Sequence, residues 1–359
     1  MNETVCQYNH IWGMPSYAFY AFVTIGGILL VVLLILELIL LPRKRSKNHR
    51  EELLQHAIIT GGSSGIGYAV AKELIVQKCR HITLLARNLE KLKEAQVALE
   101  AFRDENPNND SCTTIHIHSV DVSNPEQIAK AAKDICSSDT IVNPTMLLNI
   151  AGTSSANEFV HTDYNEFQRL MNINYLGSAY ATRAFLPYML AKTTYPKPPR
   201  AILFTSSQAG QLGVYGYTAY SASKFALRGL AEALQSELAR DNVSVKIAFP
   251  PDTDTPGFEQ EQINKPQETR LISETSGLFQ PDSIAKTIIK KVLSDRPPFQ
   301  VYFGLDGWML ATLTAGMGHA HTLTETICEV FLMGLFRFIS LFYLMDFRRI
   351  IRKTGEKKK

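Results

Sequence analysis

Short apolar runs alternate with longer amphipathic stretches through residues 55–303 of the chain. The short runs predict strands, and the longer stretches, in which apolar residues recur every three or four positions, predict helices. The predicted strands are Ala57–Thr60, His81–Leu85, Thr114–Val120, Met146–Asn149, Ala201–Thr205, Val243–Phe249 and Gln300–Phe303, and the predicted helices include Gly67–Gln77, Asn88–Phe102, Asn124–Cys136 and Ala219–Ala239. Strands that alternate with helices are typical of a parallel sheet, and near-continuous apolar strands indicate that both of its faces are covered. The pattern predicts one α/β domain.

A long apolar run precedes this domain. Residues 16–41 contain a single charge, Glu37, and supply the roughly 20 apolar residues that a bilayer-spanning helix needs. The basic cluster Arg43–Arg45 follows directly, and such clusters stay on the cytosolic side. We therefore expect a short non-cytosolic N-terminus over 1–15, a transmembrane anchor over 16–41 and a basic linker over 42–54. A cleavable signal peptide is the alternative, but the run is long for one and lacks a cleavage site.

Apolar character returns after the domain, with interruptions. Residues 304–347 are largely apolar, but they include Glu325, Glu329 and Arg337. Charges are costly at the centre of a bilayer, so we expect a membrane-associated helical segment that is interfacial or re-entrant rather than a clean second span. A basic tail over 348–359 would lie at the headgroups. A hydrophobic dimer interface is the alternative, which leaves a homo-oligomer open.

Composition and charge exclude several classes of protein. The chain has 359 residues and a formal net charge of +3, which is too small to indicate a nucleic-acid partner. Its five cysteines are odd in number and widely scattered, so they form neither a disulfide framework nor a zinc site and suit a reducing compartment. The pairs His116/His118 and His319/His321 lack a third ligand. No metal is expected.

A glycine-rich turn follows the first predicted strand. The segment Thr60–Gly67 reads T-G-G-S-S-G-I-G, with a strand before it and a helix after it. Glycines at this spacing let the backbone approach a pyrophosphate, which then sits on the N-terminus of the helix. A plain strand–helix turn would not need three glycines, so the turn predicts a dinucleotide site. The residues of the turn expected to bind the cofactor are Gly61, Ser63, Ser64, Gly65, Ile66 and Gly67.

The end of the second predicted strand indicates which dinucleotide is bound. A site for NAD places a carboxylate there to hold the ribose hydroxyl, whereas this chain has Arg87. An arginine suits a 2′-phosphate, and Lys91 one turn later adds a second cation. A solvated basic residue is the alternative, but a cation at a helix start is disfavoured by the helix dipole. The sequence therefore predicts NADPH as the cofactor.

Further cofactor candidates lie at the carboxyl ends of later strands, where parallel sheets bind their ligands. Asp121 and Val122 end the third predicted strand, where an acid accepts a hydrogen bond from the adenine amino group. Asn149, Ala151 and Gly152 end the fourth, where small residues admit the nicotinamide ribose. All five are expected to contact NADPH.

A serine, a tyrosine and a lysine form the predicted catalytic group. Ser207 ends the fifth strand, Tyr220 follows thirteen residues later, and Lys224 stands one helical turn after Tyr220. We expect the lysine and the cofactor to lower the pKa of the phenol, which relays a proton and, with Lys224, also contacts the cofactor. The Ser207 hydroxyl would hold a carbonyl oxygen, with Ser206 as the fallback. Asn174 would complete a proton path through a water.

These motifs resemble the short-chain dehydrogenase/reductase family. T-G-x-x-x-G-x-G, N-x-A-G, N-x-x-G, the serine and Y-x-x-x-K occur in the family's order. The resemblance implies a Rossmann-type doubly wound parallel sheet and carries the catalytic roles to Asn174, Ser207, Tyr220 and Lys224.

The segment after the sixth predicted strand departs from the family. The family usually has P-G-x-x-x-T, whereas residues 250–255 read P-P-D-T-D-T. Thr255 keeps the threonine that touches the carboxamide of the cofactor, and Thr253 is a further candidate. Proline at position 251 replaces the flexible glycine.

Longer runs are similar to one membrane-bound branch of that family. The runs SSQAGQLGVYGYTAYSASKFALRGLAEAL, PPDTDTPGF and ETRLISETS resemble enzymes that reduce a long-chain sphingoid ketone with NADPH at the cytosolic face of the endoplasmic reticulum. The resemblance implies a lipid-like substrate, a bilayer as partner and that location. Asp252, Asp254, Glu259 and Glu261 are candidates to bind the ammonium of such a substrate, and a solvated acidic loop is the alternative.

Two other functions remain open from the sequence. A membrane-anchored steroid or retinoid dehydrogenase would share the anchor, the fold and the chemistry. The segment 250–276 argues against it, because that segment resembles the sphingoid branch. A non-catalytic NADPH-binding scaffold is the other alternative. The presence of Ser207, Tyr220 and Lys224 together argues against a scaffold.

Overall fold

The computed structural model describes most of the α/β domain and parts of both flanks. The described residues are 10–11, 14–15, 20–21, 23–24, 26–28, 31–32, 35, 48–105, 113–137, 141–191, 197–294, 298–318 and 323–357. Most of the expected anchor over 16–41, the basic cluster Arg43–Arg45 and the histidines His319 and His321 lie outside them. Ahead of the domain, His10–Ile11 and Met14–Pro15 form a two-residue antiparallel pair.

A parallel sheet forms the centre of the molecule. Its seven strands are β1 (His56–Thr60), β2 (His81–Ala86), β3 (Thr114–Ser119), β4 (Met146–Asn149), β5 (Arg200–Thr205), β6 (Val243–Ala248) and β7 (Gln300–Val301). They lie in the order β3-β2-β1-β4-β5-β6-β7, and every pair is parallel. The predicted doubly wound sheet is confirmed, and each predicted strand lies within two residues of its observed bounds.

Helices cover both faces of the sheet. They are α1 (His49–Leu53), α2 (Gly65–Val76), α3 (Leu89–Asp104), α4 (Pro125–Cys136), α5 (Tyr164–Leu170), α6 (Gly177–Leu190), α7 (Thr218–Glu237), α8 (Pro256–Gln262), α9 (Gln267–Glu274) and α10 (Pro281–Val292). Helices α2, α3 and α10 pack on one face, and α4, α6 and α7 pack on the other. The middle of strand β1 is continuously apolar because both faces are covered: Ala57 and Ile59 point into one core and Ile58 into the other.

The order of the strands creates a crevice. Strand β1 lies between β2 and β4, so the chain winds outward in opposite directions from this point. In open parallel sheets the crevice lies outside the carboxyl ends of the strands at such a switch point. The turns that follow β1 and β4 therefore face each other, with Gly61 at the end of one and Ala151 at the end of the other.

Two helices follow the sheet. Helix α11 spans Gly304–Leu313 and helix α12 spans Leu323–Lys357, and the rings of Trp308 and Phe336 pack edge to face with centroids 5.0 Å apart. Helix α12 runs without a break through the expected boundary between residues 347 and 348, so the described part of the basic tail forms its last turns.

The length and composition of α12 suit a membrane. Its segment Glu325–Glu356 has 32 residues, and the most apolar window of this segment has a mean hydropathy of 1.9 and is only 6% buried inside the molecule. Among the described residues it is the one helix long and apolar enough to cross a bilayer. These are properties of length and composition alone.

Candidate active site

A cavity of about 990 Å³ lies at the carboxyl ends of the strands. It extends from the glycine turn after β1, past the start of α7, to the helices α11 and α12. Most of the residues that the sequence singled out line it together. They are Gly61, Ser63, Ser64, Gly65, Ile66, Gly67, Arg87, Lys91, Asp121, Val122, Ala151, Gly152, Ser206, Ser207, Tyr220, Lys224, Thr253 and Thr255.

The glycine turn has the geometry of an anion site. Gly61 has φ +72°, and a Cβ on Gly67 would lie 2.1 Å from the carbonyl oxygen of Gly61, so neither position accepts a side chain. Ser64 caps α2 without a side-chain hydrogen bond, and the first turn of α2 has no acidic residue. Gly65, Ile66 and Gly67 at this helix N-terminus line the cavity, and their backbone amides suit the pyrophosphate of a dinucleotide.

Two cations lie at the end of β2. Arg87 follows the strand directly and is exposed at the edge of the cavity. Lys91 lies in the first turn of α3, where its backbone amide donates to the Asn88 side chain at 3.0 Å. The loop thus directs two positive charges toward the same end of the cavity. This arrangement suits an additional anionic group on the bound dinucleotide.

The ends of β3 and β4 place most of the other cofactor candidates in the cavity. Asp121 accepts hydrogen bonds from the amide and hydroxyl of Ser123, which holds its carboxylate in place at the wall. Asn149 is a correction: its side chain is buried, donates to Thr182 Oγ1 at 3.1 Å and does not line the cavity. Successive side chains of a strand point to opposite faces of the sheet, and the side chain of Asn149 points into the core. Ala151 and Gly152 line the cavity instead.

The structure separates the roles of the two neighbouring serines. Ser206 is buried and donates its hydroxyl to the backbone carbonyl of Lys224 at 2.9 Å, which ties β5 to α7. Ser207 accepts from the amide of Ala209 at 3.2 Å, and its hydroxyl is hydrogen-bonded with that of Tyr220. Ser207 is therefore the serine that faces the phenol.

Lys224 lies beside the phenol, as expected for residues one turn apart on α7. Its Nζ is 5.8 Å from the centroid of the Tyr220 ring and donates to the carbonyl oxygen of Thr205 at 2.8 Å. Burial disfavours the charged ammonium and lowers the pKa of Lys224 to about 8. The group thus stays largely protonated at neutral pH.

The side chains around Tyr220 raise its pKa, whereas the lowering expected from the sequence includes the charge of a bound cofactor. Burial raises the pKa of this phenol, and the negative charges of Glu261 and Asp252 raise it further. The hydrogen bond with Ser207 acts in the opposite direction. The phenol is therefore held protonated, in the form that donates a proton, and the sequence did not reveal that two carboxylates lie near it.

Asn174 lies behind the cavity wall. It belongs to a π-helical turn, Met171–Leu176, between α5 and α6, and it is fully buried. Its side-chain amide donates to Thr153 O and Ser223 Oγ, both at 2.9 Å, and its oxygen accepts from the Thr153 amide at 2.8 Å. A Cβ on Gly152 would lie 3.2 Å from this oxygen. Asn174 therefore holds the segment after β4 in place, and its side chain does not reach the cavity.

The loop after β6 uses its threonines internally. Thr253 donates its hydroxyl to the carbonyl of Pro251 at 2.9 Å. Thr255 accepts from the Phe258 amide at 3.2 Å and so caps α8. Both threonines line the cavity and shape its wall. Each hydroxyl also keeps hydrogen-bonding capacity for a bound cofactor.

An anionic wall lies in the same cavity as the glycine turn. Of the four acidic candidates in this region, Asp252 and Glu261 line the cavity, whereas Asp254 and Glu259 do not. The buried Lys265 stands 3.0 Å from Glu261 and 3.4 Å from Asp252, which leaves this trio with one net negative charge. The sequence indicated the carboxylates. It missed Lys265, which lies in the loop between α8 and α9, where no periodic pattern marks it.

Two aromatic residues complete the anionic wall. Tyr217 donates its hydroxyl to Glu261, and its ring lies 5.3 Å from that of Tyr220. Burial and the Glu261 charge raise the pKa of Tyr217, so it stays a donor. The Lys265 ammonium lies 5.0 Å from the centroid of the Phe258 ring and 5.5 Å from that of Tyr217. These contacts hold the two carboxylates at the cavity.

The far end of the cavity was not predicted. It is lined by α11 and α12, which pack against each other only in the folded chain, so no local pattern in the sequence marks them. The lining residues here are Asp306, Met309, Leu310, Leu313, Thr314, Arg337, Ser340, Tyr343, Leu344 and Phe347.

The fold and the cavity together define a class of protein. A doubly wound sheet carries a glycine turn suited to a pyrophosphate, and a serine, a tyrosine and a lysine meet a short distance away. The family model described as short chain dehydrogenase matches residues 55–266. The chain belongs to the short-chain dehydrogenase family, whose members bind NAD or NADP. It is an oxidoreductase.

Curated relatives narrow the class further. The chain is 44% identical to 3-dehydrosphinganine reductase of Danio rerio over 298 residues, which are 83% of this chain and 86% of that protein. It is 44% identical to 3-ketodihydrosphingosine reductase of Mus musculus over 303 residues, with coverage of 84% and 87%. The enzyme of that name from Dictyostelium discoideum is 33% identical over 267 residues, with coverage of 73% and 78%.

Solved structures share the fold. A short-chain dehydrogenase from Streptomyces avermitilis superposes with a TM-score of 0.58 at 26% identity and covers 72% of this chain and 90% of its own. L-sorbose reductase from Gluconobacter frateurii has a TM-score of 0.58 at 23% identity, with coverage of 70% and 94%.

Proposed function

We propose that this chain reduces 3-dehydrosphinganine, also called 3-ketodihydrosphingosine, to sphinganine with NADPH, in the synthesis of sphingolipids. The relatives that carry these names cover most of the chain. The observation that carries the proposal is the placement of Asp252 and Glu261 in the same cavity as Ser207 and Tyr220. An amino ketone needs an anionic site for its ammonium beside a proton donor for its carbonyl, and this cavity offers both.

The preference for NADPH rests on the end of β2. Arg87 and Lys91 line the cavity where the adenosine ribose of a dinucleotide would lie, given a pyrophosphate on the N-terminus of α2. Guanidinium and ammonium groups bind a 2′-phosphate by charge-assisted hydrogen bonds, whereas a ribose hydroxyl calls for a carboxylate. Gly61, Gly65 and Gly67 supply the room for the backbone to approach the pyrophosphate.

The reduction divides between the cofactor and three side chains. When bound, the reduced nicotinamide supplies a hydride to the carbonyl carbon. The Ser207 hydroxyl binds the carbonyl oxygen and orients it toward the phenol, with which it is already hydrogen-bonded. Tyr220 donates its proton to that oxygen, which becomes the hydroxyl of the product. The phenolate left behind is stabilised by the Lys224 ammonium and takes up a proton from solvent.

Substrate binding also assists the proton transfer. In the cavity the charges of Glu261 and Asp252 oppose a phenolate at Tyr220. An ammonium bound between these carboxylates and the phenol cancels part of that field and makes Tyr220 the stronger acid. The enzyme thereby favours ketones that carry a neighbouring amine. A steroid or retinoid ketone has no such group.

The membrane assignment is part of the proposal. We place the catalytic domain of residues 55–303 on the cytosolic face of the endoplasmic reticulum, held by the anchor over 16–41 and by α12 within the C-terminal segment. The apolar composition of residues 16–41 and the exposed apolar surface of α12 support this. A long-chain substrate that partitions into the bilayer then reaches the cavity without crossing water.

The reaction is tested by a side-by-side assay. We predict that the purified chain oxidises NADPH with 3-dehydrosphinganine and not with a steroid or retinoid carbonyl compound. Tyr220→Phe should lower kcat at least about a hundredfold, because general acid catalysis is worth that much, while NADPH still binds. Activity on the steroid or retinoid compound alone would contradict the proposed substrate. A wild-type chain that binds NADPH and reduces none of these compounds would support the scaffold alternative.

A further inference from the structure

Helix α12 has two different faces. One face lines the cavity with residues three or four positions apart, Arg337, Ser340, Leu344 and Phe347. The opposite face is apolar and exposed, again at helical spacing, and consists of Phe331, Leu335, Phe338, Phe342 and Met345. A single helix thus forms a wall of the active-site cavity and an apolar outer surface of the molecule.

Helix α11 supplies the facing wall. Met309 and Leu310 line the cavity from this side, and Leu313 lines it one turn later. Together with Leu344 and Phe347 of α12 they define what we call the α11–α12 arm of the cavity. The edge-to-face contact between Trp308 and Phe336 joins the two helices alongside it.

The arm is mainly apolar but carries a polar margin. Asp306 lines it and accepts a hydrogen bond from the Tyr343 hydroxyl at 3.4 Å. Arg337 also lines it, and its side chain is exposed and close to Ser340 Oγ at 3.5 Å. These polar groups are hydrogen-bonded or exposed to solvent, so the interior of the arm is apolar.

We propose that the α11–α12 arm binds the hydrocarbon chain of the substrate and determines which chain lengths are accepted; this rests on the proposed function. The carbonyl of the substrate must lie at Ser207 and Tyr220, and its ammonium is held by Asp252 and Glu261. The chain on the other side of the carbonyl then has to leave this polar centre. The arm is an apolar part of the same cavity, and it is bounded by the helix whose outer face is apolar.

The arrangement gives the arm a second role. The arm and the apolar outer surface lie on the two sides of α12, only the thickness of one helix apart. The end of a long hydrocarbon chain that follows the arm therefore comes close to that surface. A lipid whose chain still lies in a bilayer can therefore present its ketone to Tyr220. The affinity contributed by the chain should grow with its length until the arm is filled.

Chain-length selectivity in the full chain tests the proposal. A short-chain and a long-chain 2-amino-3-ketone that differ only in their number of methylenes are compared by kcat/KM in detergent. For the wild type we expect kcat/KM to rise by up to about fourfold per added methylene, the value for burying one CH₂. Leu344→Trp narrows the arm and should lower kcat/KM for the long-chain ketone at least about tenfold, with the short-chain value nearly unchanged.

Leu341→Trp is the matched control. Leu341 lies one turn before Leu344 on α12, is similarly exposed and does not line the cavity. This variant should keep the wild-type ratio between the two ketones. Leu313→Trp narrows the arm from α11 and should repeat the effect of Leu344→Trp, which separates blockage from a local fault in α12. NADPH binding, measured by fluorescence, reports whether each variant is folded.

The outcomes are distinct. If the wild type reduces both ketones with equal kcat/KM, the arm does not bind the hydrocarbon chain, and the proposed function still stands. A wild type that reduces neither overturns both. If folded Leu344→Trp and Leu313→Trp keep the wild-type ratio, or if Leu341→Trp alters it as much as they do, the assignment of the chain to this arm is wrong.

Discussion

At the scale of single residues, the site combines a proton donor with charges that oppose its ionisation. Tyr220 is buried beside Ser207, and Asp252 and Glu261 raise its pKa. Burial also raises the pKa of Asp252, with Lys265 acting against this. An incoming cation cancels part of the field of these carboxylates and makes the phenol a stronger acid, which is how a preference for amino ketones would arise.

Replacing one carboxylate tests this preference. Asp252→Asn removes a charge and keeps the Glu261–Lys265 pair intact. We expect KM for the amino ketone to rise about tenfold or more, because hydrogen bonds to charged groups contribute about 1.5–3 kcal/mol. Steady-state kinetics measures the change, with Asp254→Asn, two residues away and exposed, as the control. An equal loss on a ketone without the amine would contradict the assignment.

Arg87 carries a separate prediction about the cofactor. Arg87→Ala removes the cation at the end of β2, and we expect the Kd for NADPH to rise about tenfold to a hundredfold while that for NADH changes little. Titration of the nucleotide fluorescence gives both constants. Lys93→Ala is the control, since Lys93 lies on α3, the helix that follows Arg87, pairs with Glu90 and does not line the cavity. If the Kd values for NADPH and NADH rise by the same factor, Arg87 does not bind the 2′-phosphate.

At the scale of elements, three neighbouring strands place histidines side by side. His56 of β1 is paired in register with His81 of β2, and the ring of His116 on β3 lies 5.9 Å from that of His81. His56 is buried, with Nδ1 2.7 Å from Val142 O and Nε2 2.9 Å from Thr83 Oγ1. Burial chiefly, and His81 and His116 to a lesser extent, lower the pKa of His56 to about 4.

This histidine makes the fold sensitive to acid. The unfolded chain binds the proton with a pKa of about 6.5 and the folded chain only near 4, so stability is full above 6.5 and is lost as the pH falls between these values. The loss from His56 reaches about 3 kcal/mol at the lower end. Urea unfolding of the chain and of His56→Gln at a series of pH values measures it.

The variant should be less stable at neutral pH, and its stability should fall less between pH 6.5 and 4. His161→Gln, at an exposed position, is the control and should show the wild-type slope. If His56→Gln kept the full wild-type slope, other groups would be responsible for the acid sensitivity.

At the scale of the whole molecule, the active site and the apolar outer surface share one helix. Phe342 is exposed on the outer face of α12, and Leu89 is an exposed apolar residue at the start of α3, on the nucleotide side. We expect the Phe342→Trp variant in vesicles to gain fluorescence that brominated lipid quenches, because its ring lies among the acyl chains. Leu89→Trp should gain fluorescence that is not quenched. Quenching absent from both variants would place α12 outside the bilayer.

Much of this molecule could be predicted from its sequence, for a local reason. The strands β1 to β6 are short apolar runs bounded by turn residues, and the turn Thr60–Gly67 and the Tyr220–Lys224 spacing act over a few positions, so each is legible without the fold. The alternation of strands and helices predicted the seven parallel strands. The rule that ligands lie at strand carboxyl ends then predicted that the glycine turn, Ser207 and Tyr220 meet at one end of the sheet.

What only the tertiary structure decided depends on contacts between distant segments. It separated Ser207 from Ser206, turned Asn149 into the core and placed Asn174 behind the wall. It also placed Asp252 and Glu261 where they raise the pKa of Tyr220, and it joined α11 and α12 to the cavity. Side-chain direction, burial and helix pairing are set by packing across the whole chain, and a local pattern of residues does not carry that information.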